Sequence, residues 1–186
     1  MPDRALPEEL RELCDEAGGE QLLDGNLNIY PLEADDPELL SVANASDKLR
    51  SWDWPVPNEL VVFGDDGQGS SFGLWLPEAE GARPIVVQVG EVFEEPCLAV
   101  VGDDLAGFLR GWGGYYLALM GDRKALREAV PDLPDELAAL KDEGSEDEFY
   151  AILGWANPHL PDPRPDPYER GLTPAQVDEI ARSSAV

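Results

Sequence analysis

Gly69-Ser70-Ser71-Phe72-Gly73 is a stretch with the spacing of a catalytic nucleophile. The pattern G-x-S-x-G marks the elbow on which hydrolases present a reactive serine. That chemistry needs a strand, a sharp turn and then a helix, with a histidine base reachable in the fold. Here Ser71 is followed by Phe-Gly-Leu-Trp-Leu, which reads as a strand. The only histidine, His159, stands between Pro158 and Leu160, a poor place for a positioned base. The motif is expected to be a structural turn, and five-residue patterns of this kind arise readily by chance.

A single histidine also removes most metal and acid–base schemes. A zinc site needs about four His, Cys or carboxylate ligands in close array, and His159 with the distant Cys14 and Cys97 does not supply them. The turn at 65–69 lacks the ligand spacing of an EF-hand loop. Gly67-Gln68-Gly69 has no third glycine at the dinucleotide spacing, and a strand follows it where a helix is required. No Walker-type loop is present. Carboxylate pairs are plentiful: Asp35-Asp36, Asp65-Asp66, Glu94-Glu95 and Asp103-Asp104. Two of them stand at expected helix starts, where acids cap the first turn. With 39 acidic residues in the chain, such pairs occur by number alone. No catalytic residue, metal or cofactor is expected, and the chain reads as a binding protein rather than an enzyme.

The charge says what it could bind. The formal net charge is -26 on 186 residues. Such a chain repels nucleic acid and anionic membrane surfaces and speeds encounter with basic partners. A second reading also stands, because salt-adapted proteins are acidic and lysine-poor for solvation alone, and only Lys48, Lys124 and Lys141 are present. Trp52 and Trp54 flank Asp53 in a loop that ends at Pro55. Exposed tryptophan beside acid makes an interface anchor; alternatively both rings plug a gap between helix and sheet. Trp75 and Trp112 lie within elements and are expected in the core.

The elements that must carry these residues follow from periodicity. Leu6, Leu10, Leu13, Cys14 and Ala17 recur at helical spacing after Pro7, and Gly18-Gly19 ends the run. A strand is expected over 27–32. Asp36 with Pro37 predicts a helix start, carrying Leu39, Leu40, Val42 and Ala43 and reaching as far as Leu49. Strands are expected over 59–64, 72–76, 84–89 and 97–101. The turn Asp65-Asp66-Gly67-Gln68-Gly69 joins the first two of these. Short strands joined by Gly- and Pro-containing turns favour an antiparallel meander.

A helix capped by Asp103 or Asp104 follows, with Gly113-Gly114 either ending it or admitting a close neighbour. Short helices are expected over 123–130 and 135–141. Ser145 and Glu148 make a capping-box signature, and Thr173-Pro174 opens a last helix through about Arg182. The proline-rich stretch 158–167 reads as an extended strap. The N-terminus carries no apolar signal core, and no apolar run approaches the ~18 residues that span a bilayer. Cys14 and Cys97 each lie in an apolar pattern that suits reduced, buried thiols. A cytoplasmic protein is the expectation.

This order of elements resembles the SUKH superfamily, small bacterial immunity proteins related to a fungal cell-wall regulatory domain. The resemblance rests on the Leu6-Pro7-Glu8-Glu9-Leu10 helix ending at Gly18-Gly19 and on Asn28-Ile29-Tyr30-Pro31-Leu32. It continues through Pro57-Asn58-Glu59-Leu60-Val61-Val62-Phe63-Gly64 into the Gly-rich turn at 65–69, and closes with Asp103-Asp104-Leu105-Ala106-Gly107-Phe108-Leu109. Family members often place an acid just after that turn, where this chain has Ser70 and Ser71. The tail from about Leu119 has no counterpart in a minimal domain.

The resemblance implies an α+β fold, a twisted antiparallel sheet of about four to six strands flanked by helices. Residues 1–118 would form the SUKH-like domain. Residues 119–186 would form a helical extension, with its strap at 156–171, packed on the same domain. It also implies an immunity protein that occludes the basic active-site surface of a cognate, nuclease-like toxin domain. The alternative is a regulatory or scaffold module with the same fold and a non-toxin partner. The residues expected at the partner interface are Asp35, Asp36, Trp52, Asp53, Trp54, Asp65 and Asp66.

Overall fold

The computed structural model describes residues 6–51, 56–77, 83–92, 95–140, 144–160 and 171–183. The fold is α+β. Six strands form one antiparallel sheet in chain order: β1 (Gln21–Leu22), β2 (Leu27–Ile29), β3 (Leu60–Asp65), β4 (Ser71–Trp75), β5 (Ile85–Val92) and β6 (Glu95–Gly102). The helices are α1 (Glu8–Ala17), α2 (Ala45–Ser51), α3 (Leu105–Leu119), α4 (Arg123–Ala129), α5 (Asp135–Ala138), α6 (Glu146–Ala156) and α7 (Pro174–Ser183). The meander is what short strands and tight turns dictate, because hairpins need no crossover.

Every residue of β4 is buried, so both faces of the sheet are covered. Alternation along the strand separates the two sides. Phe72 faces α3, with ring centroids 4.9 Å from Phe108 and 4.6 Å from Trp112. Trp75 points the other way, and its indole Nε1–H donates to Asp178 of α7 at 2.9 Å. Val177 and Ala181 of α7 are fully buried in the same apolar cluster as the sheet. Burying rings such as Phe72 and Phe108 dominates the energetics, since truncating one to alanine costs about 3–5 kcal/mol.

Local signals explain the helix boundaries. Glu8 and Glu9 occupy the first turn of α1, which buries Leu10 and Cys14. Asp104, rather than Asp103, caps α3 by accepting the Gly107 N–H at 2.6 Å. Ser145 and Glu148 complete a reciprocal capping box at the start of α6. Helix α3 runs straight through Gly113-Gly114. Two of its glycines face α6: a Cβ at Gly111 would stand 2.9 Å from a Leu153 methyl, and one at Gly114 would only touch Ile152, at 3.6 Å, whereas one at Gly113 would meet nothing.

Four expectations need correction. The first is the helix opening at Asp36, which forms only from Ala45. Asp36 instead holds a turn, accepting the Glu38 N–H on its side chain and the Leu39 N–H on its carbonyl. The chain then doubles back, and Val42 and Ala43 donate to the carbonyls of Pro31 and Leu32. Those bonds replace the i→i−4 ladder. The second is the strand at 27–32, which stops at Ile29, two residues before Pro31 removes a donor. The third is β1, which lies where no strand was expected; two residues carry no readable period. The fourth is the helix expected to reach 141, which ends at Ala138, and Lys141 lies outside the described residues. So do most of the strap, the Trp52-Asp53-Trp54 loop and the Cys97 side chain. Cys14 is buried, as expected.

Candidate partner-binding site

The hairpin between β3 and β4 carries two of the expected interface acids, the part-buried Asp65 and the buried Asp66. Asp65 ends β3 opposite Asn28 of β2. Its Oδ1 accepts the Asn28 amide at 2.5 Å and the Gly67 N–H at 2.8 Å, and its Oδ2 accepts the Tyr30 hydroxyl at 2.7 Å. Asp66 is only 8% exposed, and its Oδ1 accepts the N–H groups of Gln68 and Ser70 at 2.8 and 2.9 Å. The turn closes through the Asp66 N–H on the Ser70 carbonyl. Gly67 and Gly69 take positive φ here, at 66° and 111°, which an L side chain rarely adopts. Burial first, and the hydrogen bond to Asp65 second, push the Tyr30 phenol well above the ordinary tyrosine range.

Ser71 opens β4 and is 5% exposed. A strand follows it, so the elbow geometry is missing. His159 is exposed, and its backbone N–H donates to Asp103 at 3.2 Å. Asp103 is itself buried, and burial lifts its carboxyl above the usual range while the bond from the His159 amide pulls it down. Asn157, 1% exposed, accepts the Asp103 N–H and donates to the carbonyls of Gly107 and Leu153. This network ties the end of β6, the start of α3 and the end of α6 together. Its polar groups are satisfied by backbone, which is what buried polar groups need for stability.

The described residues contain no group of three or more His, Cys, Asp or Glu placed to hold a metal ion. Among them, no helix is long and apolar enough to cross a membrane.

The other expected acids sit elsewhere. Asp35 and Asp36 lie in the exposed loop between β2 and α2, with Glu33 and Glu38. Leu39 projects from the same loop at 60% exposure. Lys48 and Asn44 donate to the Leu39 carbonyl and anchor the loop to α2. Helix α2 is pinned near the start of β3 by Ser46, whose hydroxyl donates to the Leu60 carbonyl. Asp65 ends that strand. The structure therefore places Asp35 and Asp36 towards one end of β3 and Asp65 and Asp66 at the other.

The sequence reading missed two concavities. One, of about 290 Å³, lies beside the hairpin. Gln88 and Ala99 form its floor; register pairs them in a row with Phe72, so the three share the face that α3 covers. Trp112, Tyr115 and Tyr116 of α3 and Phe149 and Tyr150 of α6 are the aromatic wall, with Asp66, Gln68 and Glu146 at its edges. Of these rings the sequence singled out Trp112, and only as core. The other, of about 590 Å³, runs between α1 and α3, with Glu9, Glu12 and Glu16 on one side and Arg83 and Pro84 on another. Those three glutamates fall three and four residues apart, on one helix face.

The profile of the SMI1 / KNR4 family (SUKH-1) matches residues 3–111, more than half of the chain. The chain belongs to the SMI1 / KNR4 family. The match takes in α1, all six strands and the first half of α3, with the β3–β4 hairpin and its glycines near the middle. Helices α4 to α7 lie beyond the part that defines the SMI1 / KNR4 family. No curated protein and no solved structure matches the chain.

Proposed function

We propose that this member of the SMI1 / KNR4 family is a non-catalytic immunity protein of the cytoplasm, which neutralises a cognate toxin domain by covering its basic active-site surface. The observation that carries the reading is the family match over the whole sheet, joined to a formal net charge of -26. A nuclease-like toxin presents a positive groove to phosphate. An acidic inhibitor can occupy that groove and is drawn to it at long range.

The acids free to make such contacts are those on the surface. Asp35, Asp36 and Glu38 are exposed in the same loop as the exposed Leu39, so acids and an apolar side chain are offered together. Asp65 supports the surface from within through both of its carboxylate oxygens, and Asp66 does so through Oδ1. Trp52, Asp53 and Trp54 remain part of the proposed interface on sequence grounds. The test is co-purification with the product of the neighbouring gene. A stable complex with a multidomain toxin supports immunity; a complex only with a non-toxin partner replaces it with a scaffold role.

A further inference from the structure

We propose that the aromatic cleft between β5–β6 and helices α3 and α6 is a receptor for an arginine side chain of the partner. This deepens the reading of the chain as a binder of a basic protein and rests on it. The cleft, at about 290 Å³, is at the small end of ligand sites, which run from roughly 300 to 1,000 Å³. It suits a side chain better than a nucleotide or cofactor. Its walls are rings in mutual contact: Trp112 with Phe149 at 5.4 Å, Tyr115 with Phe149 at 4.9 Å, and Phe149 with Tyr150 at 5.4 Å.

Charge selects what enters. The described lining includes two carboxylates, Asp66 and Glu146, and neither lysine nor arginine. Asp66 is mostly buried at the cleft edge, and the Gln68 and Ser70 N–H groups bond its Oδ1 alone. Glu146 is exposed in the first turn of α6. A cation within about 6 Å of a ring face is attracted by the ring quadrupole. A planar guanidinium can also stack on a ring while donating along its edge to a carboxylate, which an ammonium cannot do. The fold already uses this pairing elsewhere, where the Arg110 guanidinium lies 4.7 Å from the centroid of Trp155.

The groove between α1 and α3 carries more carboxylates, Glu9, Glu12, Glu16 and Asp104 against Arg83, but its described lining holds no aromatic ring on which a guanidinium could stack.

The experiment is a titration of the isotopically labelled full chain with the peptide acetyl-Gly-Arg-Gly-amide, followed by backbone amide shifts. Its neutral isostere, with citrulline for arginine, serves as the comparison. The expected result is a saturable shift at amides of 66–68, 112–116 and 146–153 with arginine and little with citrulline. Glu146→Gln, on an exposed position that leaves the core untouched, should weaken the arginine peptide about two- to fivefold. The assignment is overturned if the shifts do not saturate, if they fall elsewhere, or if citrulline reproduces them. No toxin is needed. A failed titration therefore removes this site and leaves the proposed immunity function standing, whereas a failed co-purification removes that function without touching the peptide result.

Discussion

The Tyr30 hydroxyl donates to Asp65 Oδ2 at 2.7 Å, fastening the end of β2 to the end of β3. With the Asn28 amide and the Gly67 N–H on Oδ1, this makes Asp65 the acceptor at the centre of the hairpin. Tyr30→Phe leaves one carboxylate oxygen short of a partner in a part-buried setting. A loss of about 1–3 kcal/mol follows, as for other bonds to charged groups. Asp65→Asn should lose a similar amount, and the double variant less than the sum. Urea unfolding of the four proteins checks this; fully additive losses would show that the pair does not interact.

Asn157 supports a second junction. Its side chain bonds the Asp103 N–H, the Gly107 carbonyl and the Leu153 carbonyl, all buried. Asn157→Ala abandons those backbone groups, at a cost of about 2–4 kcal/mol. Gly107→Ala should be as damaging, because its Cβ would collide with Asn157 Oδ1 and stand 2.7 Å from Asp103 Oδ1. Thermal melts of both variants test this. A midpoint within a degree or so of the parent would contradict the network's role.

Cys14 gives a pH signature. Burial, helped by the neighbouring Asp15, pushes its thiol from about 9 to about 11. The fold thus favours the protonated thiol over the thiolate. The stability linked to this group is fully present below the unfolded-state value near pH 9. It is lost as pH rises through about 11. The parent should therefore lose stability more steeply than Cys14→Ala across that window, as followed by urea midpoints. Parallel slopes would contradict the burial of the thiol.

The sheet and most helix starts were legible in the sequence because each has a local cause. Ser145 with Glu148 caps α6, Asp104 caps α3, and Asp65 to Gly69 turns between β3 and β4. The helix at Asp36 was misread because its fate depends on distant partners. The Asp36-Pro37 signal is the same whether the N–H groups that follow serve a helix or the carbonyls of Pro31 and Leu32.

The candidate site was less legible for the same reason. Spacing cannot distinguish an acid that faces solvent, such as Asp35, from one that closes a turn, such as Asp66. Trp112 read as core and is only 3% exposed, yet it also walls the cleft, which exists only once α6 has packed against α3.

The central claim is that acidic surface recruits a basic toxin domain. It is tested most directly by the association rate of the full chain with the toxin domain encoded beside it, measured from about 0.05 to about 0.5 M salt. The account predicts a complex whose association slows steeply as salt rises, with Asp35→Asn plus Asp36→Asn slowing it further at low salt. An association rate that does not change with salt would contradict the electrostatic account, and the absence of any complex would contradict the immunity function itself.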